Sequence, residues 1–143
     1  MTIPGHPQGK GRPRLGRNGR AFTPKSTKQW ESRARVLLRC GWQGPPVPKG
    51  IPVRVEIHQV EPRPQRFRGP DARHLCPSGG RHADADNVAK ICLDALRDCW
   101  HDDAQVADLR CLKMWCAHGE PACTEVRVTV LKPGDQLSLW SMP

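Results

Sequence analysis

The chain has 143 residues, enough for one domain with a single core, and a formal net charge of +9. No apolar run approaches the ~20 residues of a membrane span, and the N-terminus lacks a signal peptide's apolar stretch, so a soluble, cytoplasmic protein is expected. So basic a chain needs a polyanionic partner, and the placement of its charge favours a phosphate backbone over a membrane surface.

Residues 1–25 read as an irregular basic arm. No acidic residue precedes Glu31, while Lys10, Arg12, Arg14, Arg17, Arg20 and Lys25 accumulate among Gly and Pro in GKGRPRLGRNGRAFTPK. These are candidate DNA contacts, because such an arm has no amphipathic face to lay on a membrane. Ser26 with Gln29 then predicts a capping box and a helix over about 27–40, with Trp30, Ala34, Leu37 and Leu38 at helical spacing.

After GWQGPPVPKG breaks the chain, IPVRVEIHQV alternates Ile51, Val53, Val55 and Ile57 with Arg54, Glu56 and His58, which predicts a half-buried strand. Residues 61–83 lack periodicity and read as a long surface loop, where Arg63, Arg66, Arg68, Arg73 and Arg81 form a second basic surface. Val88, Ile91, Cys92, Ala95, Leu96 and Cys99 line one face of a helix over about 87–99. Strands are expected near 105–117 and 124–131, joined by HGEPA. The fold class is therefore α+β: a two-layer sandwich of a small mixed or antiparallel sheet and two main helices, with a helix on each side of the sheet as the alternative.

Seven of the fourteen acidic residues fall between Asp84 and Asp108. Asp84 and Asp86 precede the second helix, and Asp102 and Asp103 follow it. An EF-hand is excluded, because Ala89 stands where Gly is needed and Ala95 where Glu is needed. Magnesium requires fewer protein ligands. Asp84 and Asp86, two apart in an extended segment, would face one ion together, and Asp103 or Asp102 would add a ligand. A helix over 87–99 is roughly 20 Å long, so that third carboxylate either folds back along the helix or comes from a second subunit. Lys90 would form an i,i+4 ion pair or contact the scissile phosphate. The ion would activate water and stabilise charge at phosphorus.

The seven cysteines include no C-x-x-C pair and read as reduced core thiols. The spacing of Cys111, Cys116, His118 and Cys123 fits no standard zinc module, and zinc is not expected.

The run DADNVAKICLDALRDCWHDDAQV resembles the signature of the RusA family of Holliday junction resolvases, D-x-D-N-x-x-K, then L-D-A-L, then D-D-A-Q-V. GKGRPR and the following FTP resemble phage-type members, and the likeness extends over about 8–131. The resemblance implies a homodimeric, magnesium-dependent endonuclease, with manganese able to substitute, that nicks opposed strands of a four-way junction in recombination and repair. It implies Asp84, Asp86 and Asp103 as metal carboxylates and Lys90 as the essential lysine, with Asn87, Asp94 and Asp102 on further motif positions. Ala85 stands where a large apolar residue is common. The alternative is a non-catalytic protein that binds branched DNA or attends the sliding clamp.

The endonuclease domain is expected to end near residue 131, followed by a tail over 132–143. There Gln136, Leu137, Ser138, Leu139 and Trp140 resemble the Q-L-S-L-F pentapeptide that docks bacterial replication and repair proteins on the DNA polymerase sliding clamp.

Overall fold

The computed structural model describes residues 1–76 and 83–132. Arg81 and the peptide from Gln136 to Trp140 lie outside the described residues.

The alternation read in the central strand is realised from Val53 onward, whereas Ile51, expected on the same buried face, precedes the strand and is exposed. In β4 (Val53–Glu61), Val53, Val55, Ile57 and Gln59 are fully buried, while Arg54, Glu56 and His58 look out from the other face. β4 pairs antiparallel with β7 (Cys123–Val130) and parallel with β6 (Val106–Trp115). A parallel neighbour needs a long crossover, and the segment between β4 and β6 supplies one containing helix α2 (Ala85–Leu96). Strand β1 (Thr2–Pro4) adds to β7, and the two-residue β5 (His74–Leu75) adds to the end of β6. The sheet is thus mixed, in the order β1-β7-β4-β6-β5.

Helices α1 (Lys25–Gly41) and α2 cover one face of this sheet and pack on each other, giving the α+β two-layer arrangement. Val88, Ile91, Cys92, Ala95 and Leu96 enter one core with Ala34, Leu38, Val53, Val55 and Ile57. A smaller cluster of Val60, Cys116 and Cys123 lies under the β6–β7 turn. Cys111, paired with Ile57, is on the helix-covered face, whereas Cys123, paired with Val60, is on the other face.

Several boundaries differ from the expectation. Helix α1 begins two residues earlier than the capping box implied: Pro24 is its N-cap, and no side-chain cap bond forms. Pro24 is held at φ −53° by its ring, and its carbonyl accepts from Lys28 N at 3.1 Å. Helix α2 starts at Ala85 and stops at Leu96, not Cys99. The chain turns there to bring Trp100 beside Val47, whose N–H donates to the Cys99 carbonyl at 2.8 Å. Cys99 is buried by that turn, not by the helix. The basic arm is also more ordered than expected, because β2 (Arg14–Leu15) and β3 (Ala21–Phe22) form a hairpin. Its turn contains Gly19 at φ +69°, a conformation that the Asn18-Gly19 pair permits. Finally, the loop over 61–83 is not structureless, since it contributes β5.

Candidate active site

Asp84 is the N-cap of α2, with extended backbone (φ −69°, ψ 142°) and no cap bond from its side chain. Asp86 lies inside the first helical turn, so the two carboxylates do not share the extended segment that their spacing suggested. The Lys90 ammonium donates to Asp86 Oδ2 at 2.9 Å, the i,i+4 pair expected of a helix surface. This hydrogen bond is the main cause holding the Asp86 carboxyl below its ordinary range.

The backbone around Asp84 is gripped from three sides. From β4, Gln59 Nε2 donates to the Ala83 carbonyl at 2.8 Å and to Glu61 Oε1 at 2.5 Å. From β6, Cys111 Sγ donates to the Ala85 carbonyl at 3.3 Å. Burial, and then the Asp86 charge, pushes that thiol up to about 11, so it stays protonated and keeps its donor. From the arm, Lys10 N–H donates to the Asn87 carbonyl at 2.9 Å. A Cβ at Gly9 would stand 3.0 Å from Ala83 Cβ and 3.2 Å from Asn87 Cβ, so only glycine fits this approach comfortably. Pro7, Gln8, Gly9, Lys10, Ala83, Asp84 and Asn87 line a shallow polar cavity of about 330 Å³.

Most other carboxylates of the acidic stretch are committed elsewhere. Asp94 pairs with Lys10. Asp98 lies 3.9 Å from Arg35 Nε, and Asp108 is 2.6 Å from Arg54 Nε and 3.0 Å from Arg110. Asp102 Oδ1 accepts from Ala104 N at 2.9 Å and caps a 3₁₀ turn over Asp103–Gln105. The side chains of Asp84 and Asp103 have no hydrogen-bond or ion-pair partner among the described residues.

These two carboxylates are not brought together. Cys111 touches Ala85, and Val106 lies five residues back along β6, roughly 17 Å at about 3.4 Å per residue. Asp103 precedes Val106, so it lies at the far end of α2 from Asp84. It stands beside the cavity lined by Lys49, Gly50, Pro52, Asp102, Ala104 and Gln105. Ligands of one magnesium ion sit within about 4 Å of each other, at ~2.1 Å from the metal. A fold-back within one chain is therefore excluded for Asp103. Among the described residues no three His, Cys, Asp or Glu side chains cluster as a metal site. The donors at the Asp84 end are nonetheless hard carboxylate oxygens, exposed and open on one side, which suit magnesium.

Two glutamines were missed in the sequence. Gln105 is buried, its Oε1 accepts from Asp102 N at 2.9 Å and His101 N at 3.0 Å, and its Nε2 donates to the Pro48 and Ile51 carbonyls. The D-x-x-Q spacing from Asp102 is a capping-box signal that points to it. Gln59 continues the inward alternation of Val53, Val55 and Ile57.

The basic residues divide in two. Arg12, Arg14, Arg17, Arg20 and Lys25 are exposed and make no side-chain bond within the described residues. Lys10, Arg63 and Arg73 are engaged internally. Arg63 donates to the Gly69, Pro70 and Ala72 carbonyls of its own loop, and its guanidinium lies 4.8 Å from the Phe67 ring centroid. Arg73 forks onto Glu120 and Glu125, tying the loop to β7 and the turn before it.

Residues 4–129, which include the carboxylate end, the D-D-A-Q turn and most of the arm, match the family described as Endodeoxyribonuclease RusA. The chain belongs to the RusA family of Holliday junction-resolving endodeoxyribonucleases. The match includes both ends of α2 and the exposed basic residues of the arm. No curated protein matches the chain. Endonuclease chemistry on DNA is the family's activity. Among the described residues no helix is long and apolar enough to cross a membrane.

Proposed function

We propose that this RusA-family chain is a magnesium-dependent resolvase that acts as a homodimer and nicks two opposed strands of a four-way junction. The observation that carries the proposal is the separation of Asp84 from Asp103, each without a partner among the described residues, towards opposite ends of one helix. In a two-fold dimer each end of α2 can meet the other end of the partner's, so two equivalent composite sites arise from one contact. Asp84 and Asp86 would hold the ion with Asp103 of the partner subunit. Two such sites suit two symmetric nicks.

The bound ion would supply Lewis-acid stabilisation of the scissile phosphate and a water activated at neutral pH. The remaining roles fall to this chain's own side chains. Lys90, exposed beside Asp86, would transfer its ammonium to a non-bridging phosphate oxygen and offset charge that grows at phosphorus. Asn87 forms the wall of the Asp84 cavity, while Asp94 and Asp102 hold the arm and the D-D-A-Q turn. Arg12, Arg14, Arg17, Arg20 and Lys25 would follow the phosphate backbone away from the cut.

The test compares wild type with Asp84→Asn on a labelled four-way junction and on linear duplex, in magnesium and in calcium. Paired nicks by wild type alone, in the junction and under magnesium, are expected, with the variant still binding. Binding by both proteins without cutting would leave a non-catalytic branched-DNA binder instead.

The QLSLW peptide supports a second contact, with the bacterial sliding clamp. Deleting residues 136–143 is expected to abolish clamp binding and leave junction cleavage unchanged; unchanged clamp binding, or none in wild type, would end this reading.

A further inference from the structure

Gln59 occupies a core position. It follows Val53, Val55 and Ile57 on the inner face of β4 and is fully buried. An amide there is costly unless its hydrogen bonds are made. The two atoms opposite its nitrogen, the Ala83 carbonyl oxygen and Glu61 Oε1, are 2.8 Å and 2.5 Å away. A carbonyl and a carboxylate oxygen accept, so the amide nitrogen must face both, and this fixes which way round the side chain sits. Its oxygen is left buried with no partner among the described residues. The side chain therefore retains an unsatisfied atom to keep two donated bonds, one of them onto the residue directly before Asp84.

Ala83 is also approached by Gly9, so closely that a Cβ there would press on the Ala83 Cβ at 3.0 Å. The Asp84 carboxylate makes no bond of its own to another described residue. Its position depends on its backbone, and that backbone is set by what grips Ala83.

We propose that Gln59 is a positioning residue for Asp84: its buried amide holds the Ala83 carbonyl against the inner sheet, with Gly9 as the counter-surface, and so sets metal affinity at the Asp84 carboxylate. This rests on the reading of Asp84 as a metal ligand. Groups that orient metal ligands from behind change affinity by about 10–100-fold when removed.

The test uses the full-length protein and manganese, whose binding is read from the loss of free-ion electron paramagnetic resonance signal, without reference to cleavage. Gln59→Met keeps length and removes both donors. Thr124→Val is the control, because Thr124 pairs with Gln59 across β4–β7, is equally buried, and has a hydroxyl oxygen with no partner. Expected are manganese binding at least about tenfold weaker in Gln59→Met, wild-type binding in Thr124→Val, and unchanged metal-free junction binding in both. Equal losses in the two variants, or none in Gln59→Met, overturn the proposal. Should Gln59→Met not fold, Gly9→Ala decides, since it displaces Ala83 from the surface: weakened manganese binding supports the clamp, and wild-type binding overturns it. Asp84→Asn separates the two readings. If it too binds manganese like wild type, Asp84 is not a ligand and both readings fall; if it alone loses binding, only the positioning role of Gln59 falls.

Discussion

Asp84 and Asp103 stand at opposite ends of α2, on the order of 15–20 Å apart along the helix, and neither carboxylate has a partner among the described residues. The other five aspartates between residues 84 and 108 are each tied to a cation or to a backbone N–H. Two uncommitted charges that cannot reach each other in one chain are understandable if a second chain brings them together.

Lys90→Met separates the surface ion pair from chemistry. Lys90 and Asp86 are both well exposed, so solvent screens their pair and it adds little to folding. The variant is expected to melt within about 1 °C of wild type while its cleavage rate falls by about a hundredfold or more. Equal rates would remove Lys90 from the mechanism.

The arm residues should differ from one another in salt dependence. Arg17 and Arg20 are exposed and unengaged among the described residues, whereas Lys10 is paired with Asp94. Arg17→Ala and Arg20→Ala are each expected to lower the slope of log K against log salt by up to about 0.9 if they contact phosphates. Lys10→Ala should change the slope less and the melting temperature more. Filter-binding titrations from low to moderate salt measure the slopes, and identical behaviour of all three would contradict the division.

The sequence carried α2 and β4 almost whole, because Val88, Ile91, Cys92, Ala95 and Leu96 keep a helical period and Val53, Val55 and Ile57 keep a strand period. The ends were less legible. Helix α2 stops at Leu96 because Trp100 must reach Val47, a contact between residues more than fifty positions apart. The pairing of Lys10 with Asp94 is likewise a contact between residues far apart in sequence, and the charge pattern of the arm gives no sign of it. Gln59 was hidden for a different reason: a polar residue on an apolar face carries no periodic signal of its own. The Asn18-Gly19 turn, in contrast, was present as a local signal and was overshadowed by the surrounding arginines.

Arg73 gives the fold a pH dependence of known sign. Its hydrogen bonds are the largest cause lowering both Glu120 and Glu125 below the ordinary carboxyl range. A depressed carboxyl stabilises the fold above its unfolded value of about 4.3 and loses that contribution as pH falls through the folded value. Arg73→Ala should therefore cost about 1–2 kcal/mol at pH 7 and progressively less below about pH 4. Urea melts at the two pH values measure this; a constant difference would show that the network is not what Arg73 contributes.

The most direct measurement of the composite site mixes two inactive proteins. Asp84→Asn and Asp103→Asn are purified separately, combined under conditions that exchange subunits, and assayed for junction cleavage in magnesium. If Asp103 serves the partner's Asp84, each mixed dimer has one doubly damaged site and one intact site, and random exchange restores about a quarter of the wild-type sites. Cleavage at that level, seen in the mixture and in neither parent, is the predicted result. If the mixture stays inactive although subunits have exchanged, Asp84 and Asp103 do not meet across a dimer, and the proposed site is wrong.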